Sequence, residues 1–406
     1  MSAPLPERLP DAEWRAWPGL LALCEALGAD QGEARFVGGA VRDALLGIAV
    51  KDIDIATVHL PEEVVRRVKA AGLRAVPTGI AHGTITAILD HRPIEITTLR
   101  RDVSTDGRRA TVAFGTDWRD DAARRDFTMN ALYADPASGA LSDYFDGRAD
   151  LLARRVRFIG DPHQRIAEDH LRILRYFRFT ARFGTLDRDT PDYRACVAHA
   201  TSLMALSRER VADEMLKLLG LPDPADVIAA MVGDAVLASV MPEIDAHGVA
   251  ALRALIAAEQ ATGIAPAGLR RLAALLPPDG ALADQVGARL RLSNKARQRL
   301  RAAATPTSAA TPQALAYALG EDSAVDQLLL GRAFSPDCAP ALIGWQAPRL
   351  PLSGGDLIAM GLTAGPLVAR TLQALERAWI DRGFPAPDET REMARQMVGA
   401  ALRSSQ

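Results

Sequence analysis

The stretch VGGAVRDALLG (Val37–Gly47), followed after Ile48-Ala49-Val50 by KDIDIAT (Lys51–Thr57), decides how the first third of the chain folds. Ala34–Gly39 (ARFVGG) predicts a short strand ending in glycines, and Ala40–Leu46 a helix that begins directly after them. Asp52–Ala56 (DIDIA) alternates charged and apolar residues, the period of two that a strand requires. Aspartates at i and i+2 of a strand project to one face, where their oxygens suit hard cations such as Mg²⁺. Gly38 and Gly39 let the backbone approach phosphate oxygens closely, and the helix start adds amide donors with Arg42 one turn in. Two Mg²⁺ ions held by Asp52 and Asp54 would activate an attacking hydroxyl and neutralise the pyrophosphate leaving a nucleoside triphosphate. A lone D-x-D is usually structural; the upstream glycine pair is what makes this one chemical.

Working outward, Pro61–Ala71 reads as a helix, and Thr84–Leu89 and Ile94–Leu99 as β-branched strands joined at Asp90–Pro93. Glu95 sits in the alternating PIEIT. If its strand neighbours Asp52–Ala56, its carboxylate joins the aspartates as a ligand or as acceptor of the hydroxyl proton; otherwise it is a solvent-facing strand residue. Arg100 to Trp118 has no clean period and holds Asp106-Gly107 and Gly115, which predicts a long mobile loop. RRDFTMNA (Arg124–Ala131) then offers adjacent arginine forks for a triphosphate, with Asp126 to orient them. Asn130 shares the face of Asp126 if a helix begins there.

From about Asp161 strand signals fade, and Ala/Leu/Arg helices run nearly to the end, broken at Gly220–Pro224, Pro277–Gly280 and Arg349–Gly355. The fold class is therefore α+β: a mixed head on a long all-helical body. At the junction lies EDHLRILRYFRF (Glu168–Phe179). At 100° per residue Ile173, Leu174, Phe177 and Ala181 form one stripe, while Asp169, Arg172, Arg175 and Arg178 wind across the opposite half. Leu171 and Phe179 lie off the apolar stripe, so that half is not a plain solvated face. Cytosine and adenine both show an amino donor beside a ring-nitrogen acceptor. Asp169 accepting and Arg172 donating would fit both bases, while uracil and guanine would leave buried groups unpaired. Arg175 and Arg178 remain for phosphate or for orienting that pair; intrahelical pairing on a surface is the alternative.

Composition excludes several classes. Hydrophobic residues make up 49% and charged residues 24% of the 406, ordinary values that rule out disorder and collagen-like repeats. No apolar run nears the roughly 20 residues of a membrane span, so no membrane partner is expected. Residues 1–10 lack an apolar core, so no secretory leader is expected. Cys24, Cys196 and Cys338 have no metal-ligand spacing and point to free thiols in a reducing cytoplasm. A net charge of −2 argues against a wholly basic nucleic-acid coat. Yet between Leu151 and Arg182 eight arginines face Asp161, Glu168 and Asp169, and Arg289, Arg291, Lys295, Arg297, Arg299 and Arg301 form a second run. Such stripes on a near-neutral chain suggest phosphate contacts at chosen places, or else solvated helix faces.

Taken together, VGGAVRDALLG, KDIDIAT, GIAHGTITAI (Gly79–Ile88), IEITTLR (Ile94–Arg100), RRDFTMNAL (Arg124–Leu132), DYFDGRADL (Asp143–Leu151) and EDHLRILRYFRFTARFG (Glu168–Gly184) resemble the CCA-adding tRNA nucleotidyltransferases and bacterial poly(A) polymerases, within the polymerase-β-like nucleotidyltransferases. The resemblance covers about residues 35 to 185 in the family's order. It implies a polymerase-β-like head (35–157) after a helical extension (1–34), then a base-selecting neck (158–219), an RNA-binding body (220–303) and a tRNA-binding tail (304–406). It implies Mg²⁺ on Asp52 and Asp54, triphosphate contacts at Gly39, Arg42 and Arg125, and nucleotide selection by Asp169, Arg172, Arg175 and Arg178. LSRERV (Leu206–Val211), with Glu214 behind it, resembles the segment that opens the family's body. The implied activity is template-independent addition or repair of the tRNA 3′-CCA from CTP and ATP by in-line transfer, with the acceptor stem and T-arm bound and no obligate protein partner. A poly(A) polymerase, or an enzyme adding only CC or only A, shares the same head. The long loop resembles the element with which full CCA enzymes switch from C to A, which argues against CC-only addition.

Overall fold

A computed structural model describes residues 5–106 and 109–404. Two compact units divide the chain. One runs through Glu214 and takes in Gly233–Val240; the other holds Met215–Val232 and the chain from Met241 onward.

The first unit is built on strands β1 (Ala34–Val37), β2 (Ile53–Thr57), β3 (Arg74–Gly79), β4 (Thr84–Leu89), β5 (Arg92–Thr98), β8 (Leu132–Ala134) and β9 (Leu141–Asp143), in the order β3-β4-β5-β2-β1-β8-β9. β2 runs parallel to β5 and antiparallel to β1, so the sheet is mixed as expected. Apolar alternation makes β2 central: Ile53 and Ile55 are buried, while Asp54 between them stays half-buried. Helices α1 (Leu20–Ala26), α2 (Gly39–Leu45) and α3 (Pro61–Ala70) precede β3, and α4 (Trp118–Ala123) and α5 (Gly147–Leu152) flank β8 and β9. After them come α6 (Pro162–Glu168), α7 (Leu171–Phe183), α8 (Pro191–Ala198) and α9 (Arg208–Leu219).

The expected mobile loop is instead a ribbon. β6 (Arg100–Asp106) and β7 (Arg109–Phe114) pair antiparallel from Arg100↔Phe114 to Asp106↔Arg109, apart from the main sheet. The Asp106-Gly107 pair is a hairpin signal, and a two-stranded ribbon outside the sheet carries a weak period. Arg108, expected in that loop, lies outside the described residues. β3 has no clear sequence signal because it is an edge strand with Pro77 and no buried side chain. β8 and β9 are three residues each, too short for a period to show.

In the second unit, Leu255, Leu315, Leu328 and Leu342 centre one apolar cluster; Leu357, Leu375, Trp379 and Val398 centre another. A buried ion network ties the first together. Arg270 bonds Glu259 (2.6 Å) and Asp326 (2.8 Å), while Arg271 bonds Glu259 and the carbonyls of Leu219 and Pro222. Three of the six cations of the downstream basic run have acids beside them: Arg289 pairs with Glu243, Arg297 with Asp284, and Arg299 with Asp322 and Asp326. Among the described residues no helix is long and apolar enough to cross a membrane.

The DYFDGRADL segment locks the RRDFT segment in place. Asp150, fully buried, accepts from Thr128 Oγ1 (2.6 Å), Arg155 Nε (2.6 Å) and Arg157 Nε (2.8 Å). Gly147 is required for the approach: a Cβ there would meet the Thr128 carbonyl oxygen at 2.3 Å and its carbon at 2.8 Å. Gly147→Ala should therefore cost on the order of 2 kcal/mol of stability, read as a fall of several degrees in Tm. An unchanged Tm would mean that this contact does not hold the segment.

Candidate active site

β1 delivers Gly38 and Gly39 to the start of α2, beside β2 and its Asp54. Gly38 has φ +70, so the turn favours glycine by its backbone conformation. A cavity of about 420 Å³ opens beside it, lined by both glycines, Arg42, Asp54, Arg124, Arg125, Asp126, Asn130, Asp169, Arg172, Arg175 and Phe179. Residues that the sequence scatters over more than a hundred positions thus converge. Asp52, Glu95 and Arg178 do not line it.

Asp54 carries the site's electrostatic signature. Glu95 is its register partner across the parallel β2–β5 pair, which meets the condition set on that residue. Burial first, then Glu95 and Asp52, push the Asp54 carboxyl up to about 6, with Arg125 working the other way. Asp52 itself lies one residue before β2 and is exposed, as is Glu95. Among the described residues no group of three or more His, Cys, Asp and Glu is arranged to hold a metal. The donors present are oxygens, and the crowding at Asp54 is what a hard divalent cation would relieve, so the residues fit such an ion.

The arginines are held by carboxylates that sequence reading missed. Asp121, 1% exposed on α4, accepts from Arg124 Nε (2.9 Å), from Arg125 Nη2 (3.0 Å) and from the Tyr133 hydroxyl (2.8 Å). Burial alone would lower the Arg125 guanidinium, yet Tyr133 and Asp121 hold it above its ordinary value. The available signal was spacing, since Asp121 stands three and four residues before the two arginines and can reach both. Arg165 of α6 donates to the carbonyls of Arg124 (2.5 Å) and Arg125 (2.7 Å) and pairs with Glu168.

RRDFT is not a helix start. Arg124 closes α4, and Thr128–Asn130 form a single 3₁₀ turn, because Asp126 bonds the backbone N–H of Phe127 (2.9 Å). Asn130 still meets Asp126, through Nδ2 (2.9 Å), and its oxygen accepts from Arg42. Arg42 is 6% exposed and bonded to Asp43 (2.7 Å), so it is a braced group at the cavity wall.

Asp169 also departs from the helical expectation. It is extended, between α6 and α7, with Oδ1 accepting from the Leu171 N–H (3.1 Å) and Oδ2 from Arg210 (2.8 Å). Arg172 spends Nη1 on Glu168 (2.6 Å) and the Arg165 carbonyl (2.8 Å), which fixes its fork at the cavity. Arg175 donates to Asp126 (2.8 Å), and Arg178 to the buried Glu214 of α9 (2.6 Å).

A carboxyl raised from 3.8 to about 6 costs folding stability once the pH passes the unfolded value, and the cost is full above the folded one. With chelator present, Asp54→Asn should therefore raise Tm at pH 7.5 by a few degrees and leave it unchanged near pH 4. Equal effects at both pH values would contradict the crowded-carboxylate account.

A family model described as "Poly A polymerase head domain" matches residues 34–157, and one described as "Probable RNA and SrmB- binding site of polymerase A" matches 191–247. The mitochondrial CCA tRNA nucleotidyltransferase 1 of Mus musculus is 34% identical over 383 residues, covering 90% of this chain and 87% of that protein. The CCA-adding enzyme of Streptococcus pyogenes is 43% identical over 202 residues, 49% of each chain. The chain is similar to the crystal structure of the Bacillus stearothermophilus CCA-adding enzyme in complex with CTP, with TM-score 0.70 and 30% identity over 89% of this chain and 92% of that one. A Thermotoga maritima CCA-adding enzyme complexed with tRNA shares the fold at TM-score 0.67 and 22% identity, over 97% of each chain.

Proposed function

The chain belongs to the family of CCA tRNA nucleotidyltransferases, and from that premise we infer that it adds or repairs the 3′-terminal CCA of tRNA from CTP and ATP, without a nucleic-acid template. One observation carries the reading: a single cavity joins the glycine turn and Asp54 of the head to Asp169 and Arg172 at the start of α7. Phosphate chemistry and base selection thus meet at one place. A poly(A) polymerase would use the same head, but the relative matched along nine-tenths of the chain is a CCA enzyme.

In this mechanism Asp52 and Asp54 would hold Mg²⁺, with Glu95 as the neighbouring carboxylate on β5. Bound there, the ion would favour ionisation of the RNA 3′-hydroxyl and neutralise charge on the triphosphate. The remaining work falls to the chain's own groups. Gly38 and Gly39 bring the backbone against the triphosphate, and Arg125, fixed by Asp121 and Tyr133, presents its fork to the phosphate oxygens as the 3′-oxygen attacks the α-phosphorus and pyrophosphate departs. Asp126 and Asn130 orient Arg175 and Arg42 toward the same anion. Asp169 would accept from the amino group of cytosine or adenine while Arg172 donates to the ring nitrogen. Uracil and guanine present the reversed pattern and leave both groups unsatisfied.

Residues 158–219 serve in this reading as the neck, 220–303 as the body and 304–406 as the tail, the latter two holding the tRNA acceptor stem and T-arm by backbone shape. A cytoplasmic setting accords with the free cysteines: burial pushes the Cys24 thiol up to about 12, an unreactive value suited to a packing role.

The test is incorporation on tRNA lacking its 3′ end, with Mg²⁺ and CTP alone, ATP alone, or both. Two C residues and then one A, stopping there, is the expected result; a lengthening A tail would mean a poly(A) polymerase. Asp52→Ala should lower transfer by at least about 10³-fold while leaving tRNA affinity within about twofold. Retained turnover would remove Asp52 from the reaction.

A further inference from the structure

Helix α7 holds a buried aromatic residue on the side opposite its apolar stripe. Phe179 lies off the row of Ile173, Leu174 and Phe177, yet it is 5% exposed and forms part of the cavity wall. Three guanidinium carbons surround its ring: Arg178 at 4.8 Å from the centroid, Arg42 at 5.3 Å and Arg175 at 5.3 Å. Each is gripped elsewhere by an oxygen: Arg175 by Asp126, Arg178 by Glu214, and Arg42 by Asp43 and Asn130. The ring itself is wedged between Phe127 (5.0 Å) and Phe183 (5.6 Å), so it cannot turn away.

Three like charges drawn to one spot repel one another. A further carboxylate would hold them, but it would also repel a triphosphate. An aromatic ring attracts cations through its quadrupole while bearing no net charge, so it gathers arginines without spoiling an anion site. We propose that Phe179 is a positioning residue of the nucleotide site, whose ring sets Arg42 and Arg175 at the cavity wall before CTP or ATP arrives, with Arg178 packed on the ring from outside that wall. In this role its ring acts through the arginines. Arg175 stands four residues before Phe179 on the helix, the spacing at which side chains stack, while Arg42 comes from α2. Together with Phe183, whose ring centroid lies 4.3 Å from the Arg42 guanidinium carbon, the ring thereby sets a head arginine relative to two arginines of α7.

This inference rests on the cavity being the CTP and ATP site, and the experiment separates the two claims. In the full-length protein, Phe179 is replaced by phenylalanines carrying one, two and three ring fluorines, which drain the π face at nearly constant shape. KM for both CTP and ATP should rise stepwise, to about tenfold at three fluorines, with kcat within about twofold and Tm unchanged. Phe179→Leu should match or exceed the trifluoro variant. A KM that stays flat across the fluorine series in an enzyme that turns over normally overturns the role of the ring, as does a KM that rises only where Tm falls. If the unmodified enzyme binds neither CTP nor ATP, the reading of the cavity fails first, and this inference with it.

Discussion

The Asp126 carboxylate is the constraint on which the candidate site depends. One oxygen accepts from the Phe127 N–H and from Asn130; the other takes Nε and Nη2 of Arg175, forty-nine residues away. Burial would push this carboxyl up, but Arg175, Asn130 and the Phe127 amide hold it below its ordinary value. Through Asn130 the same anchor reaches Arg42 on α2, and through Arg175 it reaches the helix that carries Arg172. Glycine turn, arginine pair and α7 are therefore tied to one charge, which its donors hold in the ionised form. A buried charge that loses one partner is costly, so the site is organised as a whole or not at all.

Much of this was legible in the residues because the chemistry leaves short, stiff signatures. Gly38-Gly39 with Asp52 and Asp54, the Arg124-Arg125-Asp126 triplet and the Glu168–Phe179 segment each pair a local pattern with a reason for that residue type. What stayed hidden is long-range. Glu214 looks like an ordinary helical acid, and only the fold shows that it faces Arg178, thirty-six residues away; Asp121 and Glu168 stand four residues before Arg125 and Arg172, a spacing at which the pairing can be read locally. Tyr133 reads as a strand aromatic; that its hydroxyl completes the Asp121–Arg125 group follows from β8 lying beside α4 and β1. The ribbon β6–β7 reads as a loop in the sequence because a pair of strands outside the main sheet shows little alternation.

The arginine-rich stripe from Leu151 to Arg182 illustrates a related limit. Its sequence shows a surplus of positive charge, and phosphate is the natural guess. The structure supplies acids from elsewhere in the first unit: Asp150 for Arg155 and Arg157, Asp126 for Arg175, Glu214 for Arg178, and Asp43 for Arg182. These pairs do not abolish an anion site. They fix the direction of each planar fork, so that little rotamer freedom is left to lose when a triphosphate binds. Arginine suits this because one edge can be committed to a carboxylate while other N–H groups stay available, which a lysine ammonium does less well.

The central claim is that Asp169 and Arg172 read the base in place of a nucleic-acid template. It is tested most directly by kcat/KM for CTP, ATP, UTP and GTP on tRNA lacking its 3′ end, in the natural enzyme and in Arg172→Ala. The account predicts strong preference for CTP and ATP at their respective steps, and a variant in which the gap to UTP and GTP narrows by roughly 10-fold or more. An equal fall for all four nucleotides would contradict it, placing Arg172 among the phosphate-binding groups and leaving base choice to another part of the molecule.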